Sequence, residues 1–216
     1  MSKEAYSLWL VGGTALLVDD DTAQPALQYA LDSVLFAQLR ADKLNGSRFA
    51  RYRLWYSDYR KALQERGWII TLSHSDHLRM HDGTTRAPAD GPIDYLQSRH
   101  PNLTGHLKAA INTLSHDEVQ QYVRPFTQAT QDNTTQVVQE LGVLLPGAVL
   151  DLCGVACKTP LPSGDGIDLR ASGATLGDFV TEANRKDLHD LLERKQRAVH
   201  IRNLGLLTPE NDHAST

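Results

Sequence analysis

The stretch that decides the fold is "VVQELGVLLPGAVLDLCGVACKT", residues 137–159. It contains the longest apolar run in the chain, residues 141–157. β-Branched residues and turn formers recur in it with little helical phase, so it reads as one or two buried strands. The run is short for a membrane span, and Pro146, Asp151 and the glycines at 142, 147 and 154 interrupt it. Cys153 and Cys157 lie four residues apart within it. On a strand they share a face with Cα atoms roughly 13 Å apart, too far for a disulfide. They read as small buried hydrophobes.

Downstream, "PLPSGDG" (160–166) is a turn, and "IDLRASGATLGDFV" (167–180) alternates like a strand at Ile167, Leu169 and Ala171. "NRKDLHDLLERKQRAVHI" (184–201) is an amphipathic helix with Leu188, Leu191, Leu192 and Val199 inward. "NLGLL" (203–207) is a final strand, and residues 209–216 form a frayed tail.

Upstream, "TQATQDNTTQ" (127–136) is polar and reads as a linker, the main internal boundary. Before it the texture is helical. In "DDDTAQPALQYALDSVLFAQLRADK" (19–43), Asp21 or Thr22 is positioned to cap a helix and Pro25 suits its first turn. Leu27, Ala30, Leu31, Val34, Leu35 and Leu39 then mark one apolar face. Two further helices, at 93–99 and 103–114, are separated by Pro101, and Ser115 to Glu118 forms a capping box for a third. The N-terminal "AYSLWLVGGTALLV" (5–18) is a strand, or two strands broken at Gly12-Gly13, and it completes no phosphate-loop pattern.

These readings give an α+β protein, a single domain over residues 1–216. A helical N-terminal layer, about 22–130, packs against a largely antiparallel sheet drawn mostly from the C-terminal part, about 137–208. The N-terminal strand or "WIITLS" (68–73) joins that sheet.

Two segments carry the functional expectations. The first is "SRFARYRLWYSDYRKALQERG", 47–67, a helix ended by Gly67. Phe49, Tyr52, Trp55, Tyr56 and Tyr59 fall in it, and Trp68 follows. Around it Arg40, Lys43, Arg48, Arg51, Arg53, Arg60, Lys61 and Arg66 face only Asp42, Asp58 and Glu65. In a chain of net charge -4 this is a local basic excess. It predicts a non-enzymatic binding or assembly protein. Arg48, Arg51, Arg53, Arg60 and Lys61 would contact an anionic partner: a protein or membrane surface first, nucleic acid second. A homo-oligomer is compatible with this reading.

The second segment is "TLSHSDHLRMHDG", 71–83. Its "SHSDH" resembles the H-x-H-x-D-H loop of the metallo-β-lactamase-like hydrolases. His74, Asp76 and His77 match that loop, while Leu72 stands where its first His would be, which removes a primary ligand. His77 and His81 have the i, i+4 spacing that puts two ligands on one helical face. The alternative function is therefore a metal-dependent hydrolase using His74, Asp76, His77 and His81. The preferred reading requires no cofactor. There is no G-x-S-x-G, and neither Cys has a neighbouring His. The N-terminus has no signal-peptide pattern, so the expected location is cytoplasmic, or outside the cell by a route without a cleaved signal.

Overall fold

A computed structural model describes residues 5–79, 87–159 and 166–208. In chain order the strands are β1 (Tyr6–Val11), β2 (Thr14–Asp19), β3 (Trp68–Arg79), β4 (Gln128–Gln131), β5 (Thr134–Leu145), β6 (Val149–Thr159), β7 (Gly166–Leu176) and β8 (Ile201–Leu207). The helices are α1 (Gln24–Asn45), α2 (Tyr52–Glu65), α3 (Asp90–Arg99), α4 (Thr104–Ser115), α5 (Asp117–Thr127), α6 (Glu182–Glu193) and α7 (Arg197–His200). A 3-10 turn at Pro101–Leu103 joins α3 to α4.

All eight strands belong to one sheet, in the order β3-β7-β6-β5-β2-β1-β8, with β4 alongside β5. The pairing between β2 and β5 is parallel, and the other described pairings are antiparallel. The apolar run of 137–159 lies at the centre of the sheet. It splits into β5 and β6 at a tight turn where Gly147 and Ala148 both take positive φ. The N-terminal segment and "WIITLS" both join the sheet.

Alternation along the strands divides the core into two layers. On one face Leu144, Leu150, Leu152 and Ala174 pack under α1, α2 and α6, with Trp55, Tyr59 and Trp68. On the other, Leu141, Val143, Cys153 and Ala171 pack under α3, α4 and α5, with Leu96, Leu107 and Leu114. The α+β class is as expected, with helices on both sides of the sheet rather than in one layer. Among the described residues no helix is long and apolar enough to cross a membrane.

Several local expectations change. The polar 127–136 segment is a β4–β5 hairpin, turned at Asp132 and Asn133, whose positive φ values short polar side chains tolerate. Its Thr and Gln content gave it a linker's composition, yet Thr130 and Thr135 bond across the ladder. Helix α1 has no side-chain cap. Asp19 instead takes the Asp21 N–H in a turn of its own. Ser115 belongs to α4, and its hydroxyl donates to the Asn112 carbonyl, so it does not cap α5. The 184–201 helix breaks at Gln196, in left-handed conformation, leaving Val199 exposed. Residues 209–216, expected to fray, lie outside the described residues.

Candidate functional site

Helix α2 forms because Tyr52, Trp55, Tyr56, Tyr59, Ala62 and Leu63 recur at three- and four-residue steps, and all six are buried. Gly67, at φ 86°, turns the chain from the helix into β3. The helix begins at Tyr52 rather than 47. Ahead of it, Ser47 Oγ accepts the Phe49 N–H and turns the chain.

Beneath α2 the sheet changes character along its strands. Cross-strand partners share a face, which orders the side chains under the helix into rows. Leu144, Leu150 and Ala174 form an apolar row. Two residues along each strand come Gly142, Leu152, Ser172 and Ser73, and then Glu140, Gly154, Arg170 and Ser75. Val138, Ala156, Asp168 and His77 follow. The helix starts over the polar end of this gradient. There an open cleft of about 540 Å³ lies between residues 49–54 and strands β5, β6, β7 and β3.

Among the described residues, Arg51, Arg53 and Lys158 line that cleft with one carboxylate, Asp168. Arg53 grips Asp168 with two nitrogens, at 3.1 and 2.9 Å, and His77 Nδ1 meets the same carboxylate at 2.9 Å. Burial pushes the Asp168 carboxyl up, but the hydrogen bonds from Arg53 and His77 outweigh it and hold the group below the usual carboxylate range. Helix α2 has no side-chain cap and no acid in its first turn. Its free N–H groups and the arginines at 51 and 53 thus place positive charge on positive charge.

The sequence-predicted cations separate. Arg48 is only 6% exposed and does not face solvent. It bonds Asp42 with two nitrogens, donates to Gln38 Oε1, and lies 4.7 Å from the Trp55 ring centre. It belongs to the interior because the Ser47 turn folds it under the start of α2. Lys61 pairs with Asp58 and Arg40 with Glu65. Each of the three local acids therefore takes one cation. Arg60 donates to Ser73 Oγ beside the Tyr56 ring. Arg51 and Arg53 remain at the cleft.

Of the proposed metal ligands, His74, Asp76 and His77 lie on β3, not on a loop or helix, and His81 lies outside the described residues. Alternation sends His77 toward α2, while His74 and Asp76 face the α3 side, where His74 stacks on Tyr95. His74 and His77 are on opposite faces of the sheet and cannot share an ion there. Among the described residues no group of three or more His, Cys, Asp or Glu side chains is arranged to hold a metal. Cys157 shares the face of Cys153, away from α2, and burial pushes its thiol up to about 11.

The reading of the sequence missed Glu140. This carboxylate is 7% exposed, on β5 beneath α2. Its Oε2 accepts from Thr14 at 2.7 Å and Tyr59 at 2.8 Å, while Oε1 has no protein partner. Burial raises its pKa to about 7, against the lowering by those two hydroxyls and by the Arg48 charge. Gln38 locks the adjacent β1–β2 turn, accepting from Gly13 N and donating to Val11 O and Thr14 Oγ1. The available signal was phase. Glu140 alternates with Val138, Gly142 and Leu144, so it points where they point.

No protein-family model, curated protein or solved structure matches this chain.

Proposed function

We propose that this is a binding protein that receives an anionic group of a partner protein in the cleft at the start of α2. One observation carries the reading. Arg51 and Arg53 sit at a helix N-terminus that has neither a cap nor a first-turn acid. Asp168 answers Arg53, while Arg51 and the free N–H groups of the first turn have no anion among the described residues, and a carboxylate arriving there would meet them beside the Arg53 guanidinium. Breaches of a local rule concentrate at functional positions. The concave shape favours a protruding acidic side chain over a flat bilayer.

The test uses poly-L-glutamate at low ionic strength, with phosphatidylserine vesicles and duplex DNA in parallel. Wild type is expected to bind polyglutamate. Joint replacement Arg51→Glu and Arg53→Gln is expected to weaken binding at least about tenfold, roughly 1.4 kcal/mol. Reversal of the exposed Lys195, on the turn after α6, should change it little. Added salt should weaken it as well. A wild type that binds none of the three probes, or a double variant that binds as wild type does, defeats the reading. Preference for vesicles or for DNA replaces the protein partner with a membrane or a nucleic acid.

A further inference from the structure

Between Tyr52 and the sheet lies a small chamber that the anion-binding reading does not use. Gly13, Thr14, Val138, Glu140 and Gly154 line it with Tyr52 and with Arg48, whose guanidinium is already taken by Asp42 and Gln38, and its volume is about 10 Å³. Tyr52 and Val138 line both this chamber and the cleft.

Among the described residues, two buried polar atoms there have no protein partner, Tyr52 Oη and Glu140 Oε1. They are neighbours of the same backbone position. A Cβ built on Gly154 would stand 2.6 Å from Tyr52 Oη and 3.6 Å from Glu140 Oε1. Leaving one buried donor or acceptor unsatisfied costs on the order of 1–3 kcal/mol, so two orphans facing one void is a costly arrangement. Glu140 spends its other oxygen on Thr14 and Tyr59, which holds the carboxylate in place and keeps Oε1 aimed elsewhere.

The chemistry of the two atoms selects the occupant. A group bridging them must donate to Oε1 when Glu140 is ionised and accept from the tyrosine O–H. When Glu140 carries its proton, the same group must be able to accept instead. An ammonium cannot accept, a carboxylate has no proton to give and would meet the Glu140 oxygen, and a hydrogen phosphate is too large for the chamber. A hydroxyl does both. The volume selects further, since a cavity of roughly 10–15 Å³ on this measure holds one water. Gly154 is the permissive residue. It interrupts a central strand where a side chain would otherwise pack, and a glycine in such a place marks close approach of another group.

We propose that the chamber under Tyr52 is a built site for one buried water, which donates to Glu140 Oε1, accepts from Tyr52 Oη and thereby ties the first turn of α2 to β5. The site stands independently of what the cleft binds.

A high-resolution crystal structure of the free full-length chain tests it. The expected result is one isolated oxygen within about 2.7–3.2 Å of both Tyr52 Oη and Glu140 Oε1. In solution, water-oxygen relaxation dispersion should count one fewer long-lived water in Gly154→Ala than in wild type. Tyr52→Phe keeps the ring and removes one partner, so its long-lived water should exchange faster. Should Gly154→Ala fail to fold, the density and Tyr52→Phe decide. A direct bond between Tyr52 and Glu140 overturns the proposal, and so does dispersion identical in wild type and Tyr52→Phe. Density continuing beyond one atom toward the cleft also overturns it, because the hydroxyl would then belong to a larger ligand.

Discussion

Two carboxylates are buried on neighbouring strands of this sheet, one on each face, and they are treated in opposite ways. Asp151, on β6 under α3, is 3% exposed. Arg99 meets it at 3.0 and 3.3 Å and His100 at 2.7 Å, both from the end of α3. Glu140, on β5 under α2, is buried almost as deeply but is met only by two hydroxyls. Arg48, whose charge also acts on Glu140, is occupied by Asp42. The contrast separates two uses of a buried acid. A guanidinium and an imidazole that saturate an acid make it a fastener between helix and sheet. Neutral donors on one oxygen leave an acid whose protonation follows the medium and whose second oxygen is free for another group.

Breaking the fastener should have the largest effect. Asp151→Ala leaves Arg99 and His100 without their shared anion. Loss of one member of a buried pair costs about 3–5 kcal/mol, and because Arg99 is partly exposed and can rehydrate, the lower end applies, about 3 kcal/mol by denaturant unfolding. A loss below about 1 kcal/mol would mean that the α3 cations and not the pair hold that helix.

Glu140 should reveal itself through pH. Its folded pKa is raised from 4.5 to about 7, so the native state holds a proton that the unfolded chain has released. The associated stability is fully present below the unfolded value and is lost as pH rises through the folded one. From this group alone the loss between roughly pH 5 and 7 is about 2 kcal/mol. Glu140→Gln keeps the shape without the titration. The stability difference between variant and wild type should therefore move about 2 kcal/mol in the variant's favour across that window. Parallel pH profiles for the two proteins would place the carboxylate among ordinary paired acids, like Asp151.

The smallest comparison is between two tyrosines of α2. Tyr59→Phe removes a hydrogen bond to Glu140 and should cost about 1 kcal/mol. Tyr52→Phe removes a hydroxyl that reaches Glu140 only through the proposed water, which keeps its bond to the carboxylate, and should cost less, under about 0.5 kcal/mol. Equal costs would show that both hydroxyls support the carboxylate alike.

Periodicity made much of the frame legible. Leu27, Ala30, Leu31, Val34 and Leu35 are all buried on α1, and Ile167, Leu169 and Ala171 all face inward from β7. The aromatic phase of 52–68 was legible too, since Trp55, Tyr59 and Trp68 are all buried. Composition misled where polar residues formed ordinary ladders. The threonines and glutamines of β4–β5 and the histidines of β3 lie where one side of a strand meets solvent or a helix end, so polarity there gave no sign of strand. The candidate site was half legible. Arg51 and Arg53 stood out by charge, while Asp168 and Lys158 reach the same cleft only because β7 and β6 lie under α2, more than a hundred residues away in sequence. Arg48 shows the limit of counting charges, since a single turn at Ser47 decides whether an arginine meets solvent or Trp55.

The parallel pairing of β2 with β5 also constrains how the chain can mature. Thr14 to Val18 align with Glu140 to Leu144, and β1 lies between β2 and β8, whose strand ends at Leu207. The β1–β2 hairpin thus acquires one neighbour after some 120 further residues and the other after some 180. Helix α1 can cover one face of the hairpin early, but its two hydrogen-bonding edges wait for those strands, and closure of so long a loop is slow. A chain stopped before Ile201 would have β1 as an open, apolar edge, the kind that recruits other chains.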